Sequence, residues 1–141
     1  MASWLENYLA GRWRLERIVP QFGEMRGAAT FTAAPAGLIY REDGISTVAG
    51  GSYPFFRSYF YEPMEDGFAV YFEASATRLF QRVVLKPCAG GQGGNAIHVC
   101  GEDVYRSRYK LLDTGVLVIR HAVRGPRKAY QSLTRFTRTG S

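Results

Sequence analysis

The segment VYRSRYKLLDTGVLVIRHAV (residues 104–123) alternates between apolar and polar residues as a β-hairpin does. A turn at 113–115 pairs Leu112 with Val116 and, further along, Ser107 with His121. Because alternate residues of a strand share a face, one face is predicted to point inwards and the other to water. The inward face comprises Tyr105, Ser107, Tyr109, Leu111, Leu117, Ile119, His121 and Val123. The outward face carries Arg106, Arg108, Lys110 and Arg120.

The rest of the chain predicts an all-β fold that follows one short helix. Ser3 and Glu6 fit a capping box for a helix that ends at Gly11. Short alternating runs separated by turn residues then predict ten strands. They span 12–19, 25–33, 37–43, 52–62, 67–73, 78–85, 95–100, 103–112, 116–124 and 129–138, with EDGIS (42–46), EASAT (73–77) and KPCAGGQGGN (86–95) among the turns. We therefore expect a single antiparallel meander β-barrel of about eight to ten strands, since closure removes exposed edges; a two-sheet sandwich is the alternative.

Composition limits the classes of protein. The 141 residues suit one domain, residues 1–141, with a net charge of +6. Two cysteines, Cys88 and Cys100, do not make a disulfide framework, and we expect free thiols in a cytoplasmic protein. Neither a signal peptide nor a membrane-spanning apolar run is recognisable. The basic residues are scattered, no nucleic-acid-binding motif is visible, and the oligomeric state, a homodimer included, is left open.

The inward polar residues predict a cavity rather than a dry core. His121 lies beside Ser107 and between Tyr105 and Tyr109, a set too polar for a purely apolar interior. In HVCGEDVY (98–105), a corner at Gly101 would place His98 and Asp103 at the rim of that cavity.

A metal site is not expected. His98, Cys100 and His121 are suitable zinc ligands, but His98 and His121 would be roughly 30 Å apart along a straight strand. No cofactor is therefore expected.

The opening of the first strand resembles that of lipocalins and related calycin barrels. In those proteins a Gly-x-Trp follows a short helix, and this chain has Gly11 and Trp13. The resemblance implies that Trp13 closes one barrel end and that Arg138, or Arg135, packs across its ring through a cation–π contact.

Blocks along nearly the whole chain resemble an uncharacterised bacterial family of lipocalin-like barrel domains. The most specific are H-x-C-x-x-D-x-Y (98–105) and GPRK-x-Y (125–130). The family has no assigned activity, so the resemblance implies the fold and leaves the function open. One departure is Gln81, which stands where the family pattern has a histidine.

Two functions are the main alternatives. The first is binding of a small, partly apolar anion: Arg57 and Tyr59 share a face, and an Arg-x-Tyr pair resembles the carboxylate clamp of fatty-acid-binding barrels. The second is a barrel lyase, isomerase or hydrolase that uses acid–base residues. The ligand-binding candidates are Arg57, Tyr59, Tyr105, Ser107, Tyr109, His121, His98 and Asp103. The acid–base candidates are His98, His121, Asp103 and Tyr105.

Two further hypotheses rank lower. The outward row of arginines would suit nucleic acid or an acidic protein. Haem binding through His121 or His98 ranks last.

Overall fold

The computed structural model describes residues 3–72 and 78–140. One helix, α1 (Trp4–Leu9), precedes eleven strands. The strands are β1 (Gly11–Val19), β2 (Gly23–Ala34), β3 (Gly37–Val48), β4 (Gly51–Met64), β5 (Gly67–Tyr71), β6 (Leu79–Val84), β7 (Lys86–Cys88), β8 (Gly91–Cys100), β9 (Asp103–Leu112), β10 (Val116–Arg124) and β11 (Ala129–Gly140). Residues 3–72 and 78–140 contain no helix with the length and hydropathy that a membrane span requires.

The strands form one antiparallel sheet that curls into a nearly closed barrel. The order is β6-β5-β4-β3-β2-β1-β11-β10-β9-β8-β7, so β1 pairs with β11 in the middle of the sheet. The sheet's two ends meet where β6 lies beside β8. A Cβ atom on Gly94 of β8 would lie only 2.5 Å from the Val84 carbonyl oxygen of β6. Glycine therefore permits the close approach that brings the two ends together.

The all-β prediction, the short helix and the hairpin register are confirmed. Leu112 faces Val116, Ser107 faces His121 and Tyr105 faces Val123, as the alternation predicted. The predicted number of strands is wrong, because the described residues form eleven strands rather than eight to ten.

The additional strand comes from KPCAGGQGGN, which the sequence suggested was a turn. Its first part forms β7 and its second part begins β8, joined by a turn with Gly90 at φ +81°. A Cβ on Gly91 would lie 2.0 Å from the Leu111 carbonyl oxygen. These glycines therefore allow the strands to pack closely. The segment was predicted to be a turn because a glycine-rich composition is also typical of flexible loops.

β3 also continues through EDGIS, where the sequence predicted a turn. Gly44 of β3 pairs with Gly27 of β2, and a Cβ on either residue would overlap the other strand's backbone. The glycine pair thus marks a tight crossing of two strands. The predicted turn at EASAT lies outside the described residues.

The helix lies against one end of the barrel. Trp13 is fully buried, and its Nε1 donates a hydrogen bond to the Leu9 carbonyl at 2.9 Å. The Arg138 guanidinium lies 4.3 Å from the Trp13 ring centroid and donates to the carbonyls of Tyr8 and Ala10. Of the two arginines that the resemblance suggested, Arg138 makes this contact, whereas Arg135 is exposed and lies opposite Glu16 in the β1–β11 ladder.

Candidate functional site

A buried ion pair lies in the barrel interior above Trp13. The Arg17 guanidinium binds both carboxylate oxygens of Glu42, at 2.8 and 3.0 Å, and its Nε donates to Thr134 Oγ1 at 2.7 Å. The Tyr40 hydroxyl donates to Glu42 at 2.5 Å. Despite burial, these donors lower the pKa of Glu42, so the carboxylate is ionised. The negative charge of Glu42 therefore balances the buried positive charge of Arg17.

A second polar cluster crosses the barrel from β6 to β10. The Tyr109 hydroxyl donates to Gln81 Oε1 at 2.9 Å, and Gln81 Nε2 donates to Ser107 Oγ. Ser107 Oγ in turn lies 2.6 Å from His121 Nδ1. We call this series of hydrogen bonds the Gln81 relay. Gln81 lies on β6, Ser107 and Tyr109 lie on β9, and His121 lies on β10, so the relay cross-links three strands.

The surroundings of His121 keep its ring neutral. Burial lowers its pKa from 6.5 to about 4, and the positive charges of Arg17 and Arg57 act in the same direction, while Glu42 opposes them. Because Gln81 already donates to Ser107 Oγ, the Ser107 hydroxyl proton is free to point at His121 Nδ1. This assignment places the ring proton on Nε2.

Aromatic side chains surround the relay towards the other end of the barrel, which we call the mouth. The group consists of Tyr59, Phe72, Phe80, His98 and Tyr105, whose rings contact one another with centroids 4.8–6.4 Å apart. Phe80 also contacts the ring of His121 at 6.0 Å. The mouth thus offers an apolar wall immediately beside a neutral imidazole.

Arg57 lies at this mouth, directly across the β3–β4 ladder from Glu42. It has the same strand parity as Tyr59 and Tyr61, whose rings are part of or pack against the core. Its side chain is nevertheless exposed, and no hydrogen bond or ion pair joins it to another residue of the described chain. Its charge helps to lower the pKa values of both Glu42 and His121, so it is close enough to act on the interior.

A second arginine is near the aromatic wall. The Arg78 guanidinium lies 4.7 Å from the centroid of the Phe72 ring. Arg57 and Arg78 therefore both contribute positive charge at the mouth.

The interior itself is tightly filled. Between the ion pair, the Gln81 relay and Arg57 there is a cavity of about 30 Å³, which is room for one or two water molecules. A long hydrocarbon chain does not fit in this space. A ligand of ordinary size would therefore occupy the mouth and reach the cavity only with its end group.

The octet HVCGEDVY forms a tight hairpin between β8 and β9. Cys100 pairs with Asp103, and Gly101 takes a φ of +62° in the turn. Asp103 forms an ion pair with Lys128, with 3.5 Å between Oδ2 and Nζ. Lys128 Nζ also donates a hydrogen bond to the Tyr105 hydroxyl at 3.5 Å. Within the described residues, Asp103 is thus bound to Lys128 and to no member of the Gln81 relay.

The predicted separation of the two histidines is wrong. His98 faces Tyr105 across the hairpin, and the rings of His98 and His121 both contact Phe80. The straight-strand distance did not apply because the chain turns back at Gly101. Within the described residues no three His, Cys, Asp or Glu side chains are grouped as metal ligands.

The structure brings most of the candidate residues together, and it adds others. Arg57, Tyr59, Tyr105, Ser107, Tyr109, His98 and His121 line the mouth or the relay beneath it. Sequence reasoning missed Glu42 and Gln81. Glu42 was detectable, because Leu38, Tyr40 and Glu42 alternate on one face of β3.

Gln81 gave no such signal. The register of β5 and β6 shifts between Val70 and Tyr71. Val70 pairs with Gln81 and Tyr71 pairs with Leu79, so Phe80 is an extra residue without a partner in β5. This bulge turns both Phe80 and Gln81 inwards, which a regular alternation excludes.

Comparison with known proteins identifies a family for the chain but no activity. A family model described as a family of unknown function (DUF6314) matches residues 9–138. No curated protein matches the chain.

Proposed function

The chain belongs to this family of unknown function, DUF6314, and from the geometry of its mouth we propose that it binds a small, partly apolar organic anion. The proposal depends mainly on the position of Arg57 and on its lack of an ion pair. Arg57 is a cation on the inner side of the barrel wall with no ion pair in the described structure, beside an aromatic group.

The chemistry of the mouth favours an anion over a cation. Arg57 and Arg78 supply positive charge, and the forked guanidinium of Arg57 matches a carboxylate or phosphate group. Tyr59 adds a hydroxyl donor on the same face. His121, neutral at physiological pH, adds an Nε2–H donor rather than a competing charge.

The apolar part of the ligand would contact the aromatic group. Phe72, Phe80 and Tyr105 present ring faces and edges at the mouth, and aromatic contacts of this kind stabilise planar or aliphatic groups. The small cavity sets the orientation: the end group points towards Arg57 and Tyr59, and the bulk of the ligand remains at the mouth.

Arg17 does not take part in this clamp. Its guanidinium is buried and bound twice by Glu42, so a ligand anion would have to displace a well-formed internal pair. The pair instead supports the floor of the site.

The experiment is a binding screen with matched ligands. Naphthalene-2-carboxylate should stabilise the protein against heat, whereas naphthalene-2-methanol, which has the same rings and no charge, should not. Equal shifts with both compounds, or no shift with any organic anion tested, would contradict the proposal.

An enzyme is the second candidate, and the Ser107–His121 hydrogen bond favours it. As a general base, His121 takes the other tautomer, in which Nδ1–H donates to Ser107 Oγ and the free Nε2 of the neutral imidazole accepts a proton from a bound substrate. Ser107 is a poor nucleophile here, because it is only 5% exposed and its oxygen is engaged on both sides. Under this hypothesis His121→Gln abolishes turnover but leaves ligand binding within about twofold, since the glutamine amide still hydrogen-bonds to the ligand but cannot transfer a proton.

A further inference from the structure

The outer surface of β8–β11 carries a concentration of positive charge. Its outward residues include Arg106, Arg108, Lys110, Arg120, Arg124 and Arg135. The four strands contain a single carboxylate, Asp103, which is paired with Lys128. The described structure shows no ion pair for any of the six outward cations. Much of the net charge of +6 is therefore gathered on one side of the barrel.

Two of these arginines face one another directly. Arg108 and Arg120 are opposite partners in the β9–β10 ladder. Like charges in that position destabilise a sheet. The Arg108 side chain donates to the neutral Asn95 Oδ1 at 3.2 Å, and the Arg120 side chain makes no hydrogen bond within the described residues. An anion bound between them would offset this repulsion.

The pair borders a groove on the outside of the barrel. The groove has a volume of about 560 Å³ and is lined by Arg106, Arg108 and Arg120, with apolar side chains between and beside them. Ser107 and His121, on the strands that form the groove, also contribute to its lining. Ile97 is 62% exposed and Ile18 is 51% exposed. Apolar groups and cations are thus interleaved along one concave surface, which we call the basic groove.

We propose that the basic groove is a docking surface for an acidic segment of another protein, with apolar side chains between its carboxylates. Charge complementarity requires an acidic partner, and Ile18, Ile97 and Leu133 provide contacts for apolar side chains. Single-stranded nucleic acid fits less well, because its binding surfaces normally stack bases on aromatic rings. No Phe, Tyr or Trp lines the groove.

The test uses a fluorescein-labelled peptide of alternating glutamate and leucine, followed by fluorescence anisotropy. The double variant Arg108→Gln/Arg120→Gln should weaken binding by about tenfold or more, because both guanidiniums contact the peptide. The matched control is Arg14→Gln/Arg26→Gln, which removes the same charge from exposed positions on β1 and β2. The control should change the affinity by no more than about twofold.

A third variant separates a groove from diffuse charge. Ile97→Ser removes an exposed apolar side chain without affecting the core, and it should weaken the peptide by several-fold. Equal loss in the two arginine double variants, or no effect of Ile97→Ser, would overturn the proposal. Tighter binding of an oligouridine than of the peptide would overturn it in favour of nucleic acid. Arg57, Ser107 and His121 are unchanged in every variant, so these outcomes do not test anion binding at the mouth.

Discussion

His121 Nδ1 lies 2.6 Å from Ser107 Oγ, within a relay that begins at the buried Tyr109 hydroxyl. The neutral imidazole is thus part of the fold as well as of the mouth. Protonation of His121 would place a charge among buried groups, near Arg17 and Arg57.

Stability should therefore fall as the pH is lowered through the range of this histidine. Its pKa is about 4 in the folded protein and 6.5 as a free group, so between these values the unfolded chain binds a proton that the folded chain does not. The free energy of unfolding should drop by up to about 3 kcal/mol between these limits. Urea denaturation across this pH range measures the drop.

His121→Gln is the control for this pH dependence. The variant has no titrating group at this position, so it should lose much less stability than the wild-type protein over the same range. Parallel curves for the two proteins would contradict the assignment of the pH dependence to His121. Glu42, whose pKa is lowered, contributes stability that is lost at the acidic end in both proteins.

Removal of one partner of the buried ion pair should be costly. Glu42→Ala leaves the Arg17 guanidinium buried without its carboxylate, and the free energy of unfolding should fall by about 3–5 kcal/mol. Denaturant unfolding measures this loss. The double variant Arg17→Met/Glu42→Leu should be less destabilised than Glu42→Ala, because it leaves no buried charge; a greater loss in the double variant would contradict this account.

The Gln81 relay makes a separate contribution to stability. Gln81→Leu keeps the approximate volume but leaves the Tyr109 hydroxyl and Ser107 without their amide partner. The expected cost is about 1–3 kcal/mol for each buried group left unsatisfied. Adding Tyr109→Phe should recover part of this loss. Simple additivity of the two changes would show that Gln81 and Tyr109 are not coupled.

The contact of Arg138 with Trp13 should also stabilise the fold. Arg138→Lys keeps the charge but loses the planar contact with the indole and one of the two carbonyl bonds, at a cost of about 1–2 kcal/mol. Arg135→Lys is the matched control, because Arg135 is exposed on the same strand. Thermal unfolding compares the two; equal melting temperatures would contradict a specific role for Arg138.

The sequence predicted those features that depend on regular alternation. The register from Tyr105 to Val123 and the inward placement of Ser107 and His121 follow from the period of two. Glycine caused the main errors. Gly44 and Gly91 lie in segments with the composition of turns, yet both residues are within strands where two backbones come close together.

The composition of the site was only partly predictable for a related reason. Gln81 faces inwards because of a bulge at Phe80, and the proximity of His98 to His121 depends on the turn at Gly101. Both are local departures from regular strands, and no periodic pattern shows them. The pairing of Arg17 with Glu42 joins strands β1 and β3, so it requires knowledge of how the sheet curls.

The most direct test of anion binding at the mouth compares the affinity for naphthalene-2-carboxylate of the wild-type protein, Arg57→Gln and Arg41→Gln by isothermal titration calorimetry. Arg41 is an exposed arginine on the outer face of β3, next to the strand partner of Arg57. Arg57→Gln should weaken binding by about tenfold or more, whereas Arg41→Gln should leave it within about twofold. Equal affinities for the wild-type protein and Arg57→Gln would contradict the proposal that Arg57 holds the ligand.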